Sequence, residues 1–329
     1  MSKDSCGREI TYLRISVTDR CNLRCVYCMP PGGVIQTSRN EILTYDEIAR
    51  IVRIAASQGV SRIKITGGEP LARKGVAHLV KMLKGIPGIE QVTLTTNGIL
   101  LPQQIEELVK NGLDAVNISL DTPDEKEYRR ITRRGDLAQV EEGIRAASSF
   151  PDLTVKINSV LLREIEGRQY VKLAEYAKNQ GIPVRYIERM PVGMEASYPG
   201  RSQDEIMGML EQAYGKAKKT DRMIGNGPAV YYRFEDFRAE IGFISPLSYN
   251  FCENCNRIRL TSEGYLKTCL QYNTGVDLKR LLREGAGEEE LRSSFLRAIK
   301  EKPLCHRFTK EDAGEKGEID AKGMYRIGG

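Results

Sequence analysis

From residue 12 to residue 188, short apolar runs alternate with amphipathic stretches. Residues 12–17, 62–66, 91–95, 115–120, 154–161 and 184–188 read as strands, and residues 45–58, 76–84, 102–111, 137–149 and 168–180 carry a helical period. Thr44 and Glu47 form a capping-box pattern ahead of the first helix, and Pro102 and Gly112 bracket the third. Strands joined in this way make a parallel sheet with right-handed crossovers. An open doubly wound sheet and a partial barrel both satisfy the pattern. The unusual segments CNLRCVYC, TGGEP, TTNG and SLD each fall at or just after a strand's carboxyl end. Active sites on barrels sit there, so the expected fold is α/β, a partial six-unit (β/α) barrel with one functional mouth.

The pattern changes after about residue 225, where GNGP marks a turn. Short strands are expected at 230–234 and 241–244, and helices near 278–284 and 289–300. The expected division is a core over 1–225 and an α+β extension over 226–329.

Cys21, Cys25 and Cys28 are spaced C-x3-C-x2-C. A 4Fe–4S cluster is normally held by four thiolates. Three in one tight loop leave an iron open to a small molecule, and the spacing is uncommon for zinc. Cys252, Cys255 and Cys269 form a second group, C-x2-C-x13-C, which suits zinc or iron–sulfur. Zinc would need a fourth ligand, and only His306 or Cys305 stands nearby in sequence; the other histidine, His78, lies in an expected helix. With the first group read as a three-thiolate cluster, the balance tips to a second one. Cys6 and Cys305 stand apart from both groups.

No apolar run approaches the ~20 residues of a membrane span, and the first residues lack the apolar stretch of a signal peptide. These features predict a soluble, cytoplasmic protein, in which cysteines serve metals more than disulfides. The net charge is +6, but the basic residues form no long block. A nucleic-acid partner is therefore not expected. Individual cations say more. Lys156 sits in the apolar run TVKINSVLL, where a lysine is rarely buried without a partner. An anion inside a barrel would supply one, and Arg185 is a similar case. Arg257 and Arg259 share one face of an extended segment, which suits a polyphosphate. Gly67 and Gly68 in TGGEP allow close backbone approach to a ligand.

The first cysteine loop, with Tyr27 before its last cysteine and GGEP one unit later, resembles the radical S-adenosylmethionine superfamily. LRISVTDRCNLRCVYCMP, KITGGEPL, TTNG, NISLD, RYIERMPVG and FCENCNRIRLTSEGYLKTCL narrow the resemblance to the GTP 3′,8-cyclase family, which opens molybdenum cofactor biosynthesis. The terminal Gly328-Gly329 matches too, so the resemblance spans nearly the whole chain. It implies a 4Fe–4S cluster on Cys21, Cys25 and Cys28 that binds S-adenosylmethionine, with Tyr27, Gly68, Ser119 and Met190 touching that cofactor. It implies a second 4Fe–4S cluster on Cys252, Cys255 and Cys269, facing the guanine of GTP. Arg14, Lys64, Thr95, Lys156, Arg185 and the run Arg257-Ile258-Arg259 would hold GTP, and Gly328 and Gly329 would enter the active site. A 5′-deoxyadenosyl radical would remove the ribose 3′ hydrogen, and the sugar would then close onto purine carbon 8. Implied partners are a flavodoxin- or ferredoxin-type reductant, a downstream cyclic pyranopterin monophosphate synthase, and a second copy of the chain. Two rival readings predict different behaviour: a peptide-modifying radical enzyme with an auxiliary cluster, and a zinc protein that binds nucleic acid.

Overall fold

The computed structural model describes residues 2–192, 200–308 and 323–328. Its strands are β1 (Tyr12–Ser16), β2 (Arg62–Thr66), β3 (Gln91–Thr96), β4 (Ala115–Ser119), β5 (Thr154–Leu161), β6 (Val184–Glu188), β7 (Lys218–Thr220), β8 (Val230–Arg233), β9 (Ile241–Ile244), β10 (Arg257–Leu260), β11 (Tyr265–Lys267) and β12 (Gly275–Asp277). They form one sheet in the order β12-β11-β10-β1-β2-β3-β4-β5-β6-β9-β8-β7. Every pair from β10 through β1–β6 to β9 is parallel, and the antiparallel strands lie only at the flanks. β7 and β12 stay at opposite ends of the sheet, so the barrel is open.

The pleat explains the layering. Side chains alternate between faces along a strand. Leu13, Ile15, Ile63, Ile65, Val92, Leu94, Val116, Ile118 and Ile157 are fully buried in the apolar core. Helices cover this face. The helix Tyr45–Ser57 buries Ile48, Ile51, Val52 and Ala55, and its expected capping box is present. Burial at about 25 cal/mol per Å² of apolar surface makes this layer the main source of stability.

The six strands expected in the first half all form, within one residue at each end. The third helix begins only at Ile105, past Pro102. The stretch expected as a helix over 168–180 divides into Gly167–Leu173 and a wider π turn, Tyr176–Gln180. The helix Glu125–Thr132 has no counterpart among the expected elements. It is mostly polar, burying only Tyr128, Ile131 and Thr132, so periodicity hides it; Asp124 caps its start. The helix Gln203–Tyr214 and β7 are likewise additional. The C-terminal region does not build a separate sheet. β8 and β9 extend the sheet beyond β6, while β10–β12 extend it beyond β1. Among the described residues, no helix is long and apolar enough to cross a membrane.

Candidate active site

The face of the sheet opposite the helices lines a cavity of about 370 Å³. Register sets what meets there. Arg14 on β1 pairs with Arg259 on β10 and with Lys64 on β2. Lys156 on β5 pairs with Asn117, which pairs with Thr95, and Arg185 on β6 pairs with Asn158. Arg14, Lys64, Thr95, Lys156, Arg185, Arg257 and Arg259 all line the cavity. Ile258 does not. The same alternation that brings Arg257 and Arg259 inward turns Ile258 into the apolar core, where it is fully buried.

Cations gathered together repel, and burial strips them of water. Burial, then Arg185, Arg14 and Lys156, hold the Lys64 ammonium well below its ordinary proton affinity. Burial and Arg185 bring Lys156 down to about 7. Burial and the neighbouring Arg14 and Arg257 press hard on Arg259 as well. Arg185 is steadied by the Asn158 side-chain oxygen, which accepts from it at 2.6 and 2.9 Å. Among the described residues, neither Lys64 nor Lys156 forms an ion pair. A cavity charged in this way suits a multiply charged anion.

Cys21, Cys25 and Cys28 line the cavity, as do Tyr27, Gly68, Ser119 and Met190. The loop is stitched down by backbone bonds from Arg24 and Val26 to the carbonyls of Thr132 and Ile131, at 3.0 and 2.9 Å. The unexpected helix Glu125–Thr132 is therefore its buttress. The glycines of TGGEP come close to backbone rather than to open space. A Cβ on Gly68 would stand 2.4 Å from the Arg20 carbonyl, and one on Gly67 2.7 Å from that of Thr18. Glu69 is buried and accepts from Leu71 N, Thr96 Oγ1 and Asn97 N. Burial outweighs those bonds and raises its pKa to about 7. Tyr27 donates to Asp121 at 2.8 Å. Burial pushes the free thiols up, Cys21 to about 11 and Cys28 to about 12, so they would resist ionising without a metal. Three soft sulfur donors on one loop at the cavity suit an iron–sulfur cube.

Cys252, Cys255 and Cys269 line the same cavity. The short turn Cys252–Asn254 carries the first of them. Its approach is set by Glu188, which accepts from Leu247 N and Ser248 N at 3.0 Å each. Burial opposes ionisation of Cys255, but Lys302 and Arg257 outweigh it and bring the thiol down to about 7. Lys302 also donates to the Arg257 carbonyl at 2.9 Å and to the Thr268 carbonyl. Cys305, expected to stand apart, lies close enough to Cys252 to disfavour its thiolate. Arg8 explains this proximity by donating to the carbonyls of Cys252, Pro303 and Leu304 at 2.7–2.8 Å. Among the described residues, no three Cys, His, Asp or Glu side chains converge on a single metal ion. These thiols are also soft donors around one recess, so their chemistry fits a second cube.

The tail returns to this mouth. Met324 and Tyr325 line the cavity, and Arg259 donates to the Gly328 carbonyl. Gly328 has φ +78°, and a Cβ there would lie 2.4 Å from Thr66 Oγ1. Gly329 lies outside the described residues. Sequence reasoning missed Asp121, Lys302 and His306 as cavity residues. The SLD segment was a signal for Asp121, since it follows a strand end; His306 was weighed only as a zinc ligand, and Lys302 carried no signal, because only tertiary contacts bring residues 302–308 here.

Residues 15–177 match the Radical SAM superfamily model, and residues 182–308 match the Molybdenum Cofactor Synthesis C model. In fold the chain is similar to Streptococcus suis SuiB bound to S-adenosylmethionine (TM-score 0.61, 16% identity, 90% of this chain and 67% of that one). The sheet, the cysteine loop and these matches define a radical S-adenosylmethionine enzyme. Curated relatives narrow the class. The chain is 44% identical to a GTP 3′,8-cyclase of Pelotomaculum thermopropionicum, covering 99% of this chain and all of that one. It is 42% identical to one of Clostridium perfringens with the same coverage. It belongs to the GTP 3′,8-cyclase family.

Proposed function

We propose that this chain cyclises GTP to (8S)-3′,8-cyclo-7,8-dihydroguanosine 5′-triphosphate, the opening step of molybdenum cofactor biosynthesis. The observation that carries this is that Arg14, Lys64, Lys156, Arg185, Arg257 and Arg259 line one cavity together with both cysteine trios. A peptide substrate gives no reason for so dense a set of buried cations; a triphosphate does.

Cys21, Cys25 and Cys28 would hold one 4Fe–4S cluster, and Tyr27, Gly68, Ser119 and Met190 would seat S-adenosylmethionine beside it. Cluster and cofactor, when bound, supply a 5′-deoxyadenosyl radical able to take hydrogen from the ribose 3′ carbon. The protein's share is positioning. The six cations pin the triphosphate, and Thr95 adds a hydroxyl, so the sugar is held rather than free to tumble. Placement of reacting atoms within ~3.5 Å accounts for much of an enzyme's advantage. Cys252, Cys255 and Cys269 would hold a second cluster near the purine. Arg259 donates to the Gly328 carbonyl, and a tail held there would help to shield the site from water. Residues 1–225 would thus carry the radical chemistry and Arg14, Lys64, Lys156 and Arg185, while residues 226–329 would add the second cluster with Arg257 and Arg259. A flavodoxin- or ferredoxin-class donor would supply electrons, and a cyclic pyranopterin monophosphate synthase would consume the product. A cytoplasmic setting suits such partners, and a homodimer is compatible with this arrangement.

The test is anaerobic turnover of reconstituted protein with GTP deuterated at the ribose 3′ carbon. Deuterium is expected in the released 5′-deoxyadenosine. GTP that neither stimulates that release nor donates its label would overturn the proposal.

A further inference from the structure

His306 lines the cavity beside Cys252, Cys255 and Cys269. Both ring nitrogens are buried; the Pro246 backbone lies near enough to act on the ring, but neither nitrogen makes a hydrogen bond of normal geometry with a described residue. A buried polar atom left without a partner costs about 1–3 kcal/mol. On a residue that lines a cavity, such an atom is a candidate partner for a bound ligand or water. The ring is presented rather than loose. The backbone on one side is tied by Arg8 to the carbonyls of Pro303 and Leu304, and on the other Arg307 N donates to the buried Gln271 side chain at 2.6 Å. The Phe308 ring lies 4.8 Å away, tilted by 35°, and faces the same cavity.

The chemistry of this pair differs from that of the sheet wall. The wall carries fixed positive charge, the requirement of phosphates. In its neutral form the His306 imidazole carries one donor and one acceptor nitrogen. A neutral donor–acceptor ring backed by an aromatic face matches the edge and face of a nucleobase. Guanine offers both acceptors and donors along its edges.

We propose that His306, backed by Phe308, contacts the purine of the bound nucleotide and helps to select guanine. This rests on GTP being the substrate. The roles then divide along the cavity, with phosphates on the sheet cations and the base on the loop that follows Lys302.

Equilibrium binding of GTP, ATP and inorganic tripolyphosphate to the anaerobically reconstituted full chain, without S-adenosylmethionine, tests it. His306→Ala is expected to weaken GTP by at least about tenfold, equivalent to ~1.4 kcal/mol. It should narrow the preference for GTP over ATP and leave tripolyphosphate within about twofold of wild type. His306→Gln, which keeps a donor and an acceptor but no ring, is expected to fall between them, and it carries the same comparison if the alanine variant does not fold. Equal weakening of GTP and tripolyphosphate, or unchanged GTP affinity, overturns the assignment of His306 alone. A wild-type protein that binds neither GTP nor tripolyphosphate overturns the functional reading, and this assignment with it.

Discussion

Lys156 is nearly fully buried on an apolar strand, and its ammonium has been driven from the ordinary 10.5 to about 7 by burial and Arg185. Between those two values the unfolded chain holds a proton that the folded, nucleotide-free chain has released. Stability of the empty protein should therefore gain from this residue as pH rises from about 7 towards 10. A triphosphate reverses the bias by favouring the charged form. Near pH 8, GTP binding is expected to draw protons from solution, and Lys156→Met should reduce that uptake. Calorimetry in buffers of different ionisation enthalpy measures both; proton release on binding would contradict the electrostatics. Gly328 makes a second case at this scale. Its positive φ and its closeness to Thr66 Oγ1 leave no room for a side chain. Strain of that kind costs about 1–3 kcal/mol. Because only a short tail is held there, Gly328→Ala should displace the tail instead of unfolding the protein. Single-turnover rates should drop by about tenfold or more, with the melting temperature nearly unchanged.

β10 shows how one strand serves two masters. Its sequence RIRL alternates half-buried and buried positions. Arg257 and Arg259 therefore face the cavity while Ile258 and Leu260 face the helices. The run Arg257-Ile258-Arg259 was expected to act together on GTP; the pleat assigns its middle side chain to the core. Substitutions should separate accordingly. Ile258→Ala is expected to destabilise by about 2–5 kcal/mol, with little change in GTP affinity for the fraction that remains folded. Arg257→Ala should leave the melting temperature nearly intact while weakening GTP. Thermal melts paired with nucleotide titrations would show the crossing pattern. Parallel strands were legible because apolar runs of strand length recur between amphipathic helices. The helix Glu125–Thr132 was not, since only Tyr128, Ile131 and Thr132 of its eight residues are buried and the rest of its hold comes from an Asp124 cap and backbone bonds from the cysteine loop.

Across the whole molecule, the N-terminal arm anchors the far end of the chain. Arg8 is buried in an ion pair with Asp4, and it also holds the carbonyls of Cys252, Pro303 and Leu304. Breaking a buried pair by removing one partner costs about 3–5 kcal/mol. Arg8→Ala is thus expected to lower the melting temperature and to loosen the second cysteine trio before the first. Anaerobic wild-type protein should carry about eight irons with matching sulfide if two cubes are present. The variant, and more cleanly Cys252→Ser with Cys255→Ser, should fall towards about four. Iron and sulfide assays decide it, and equal loss from both sites would separate Arg8 from the second trio.

Composition, spacing and period by themselves determined the strand–helix alternation, the two cysteine groups, and the cations stranded in apolar strands. These are local signals: side-chain period follows from backbone geometry, and ligand spacing follows from the reach of one loop. Only the tertiary structure decided that the C-terminal strands join both edges of the same sheet, that β10 lays Arg259 beside Arg14, and that His306 and Cys305 arrive next to Cys252. Those neighbours are far apart in sequence. Their meeting depends on strand order and on a few buried hydrogen bonds, which no local pattern encodes.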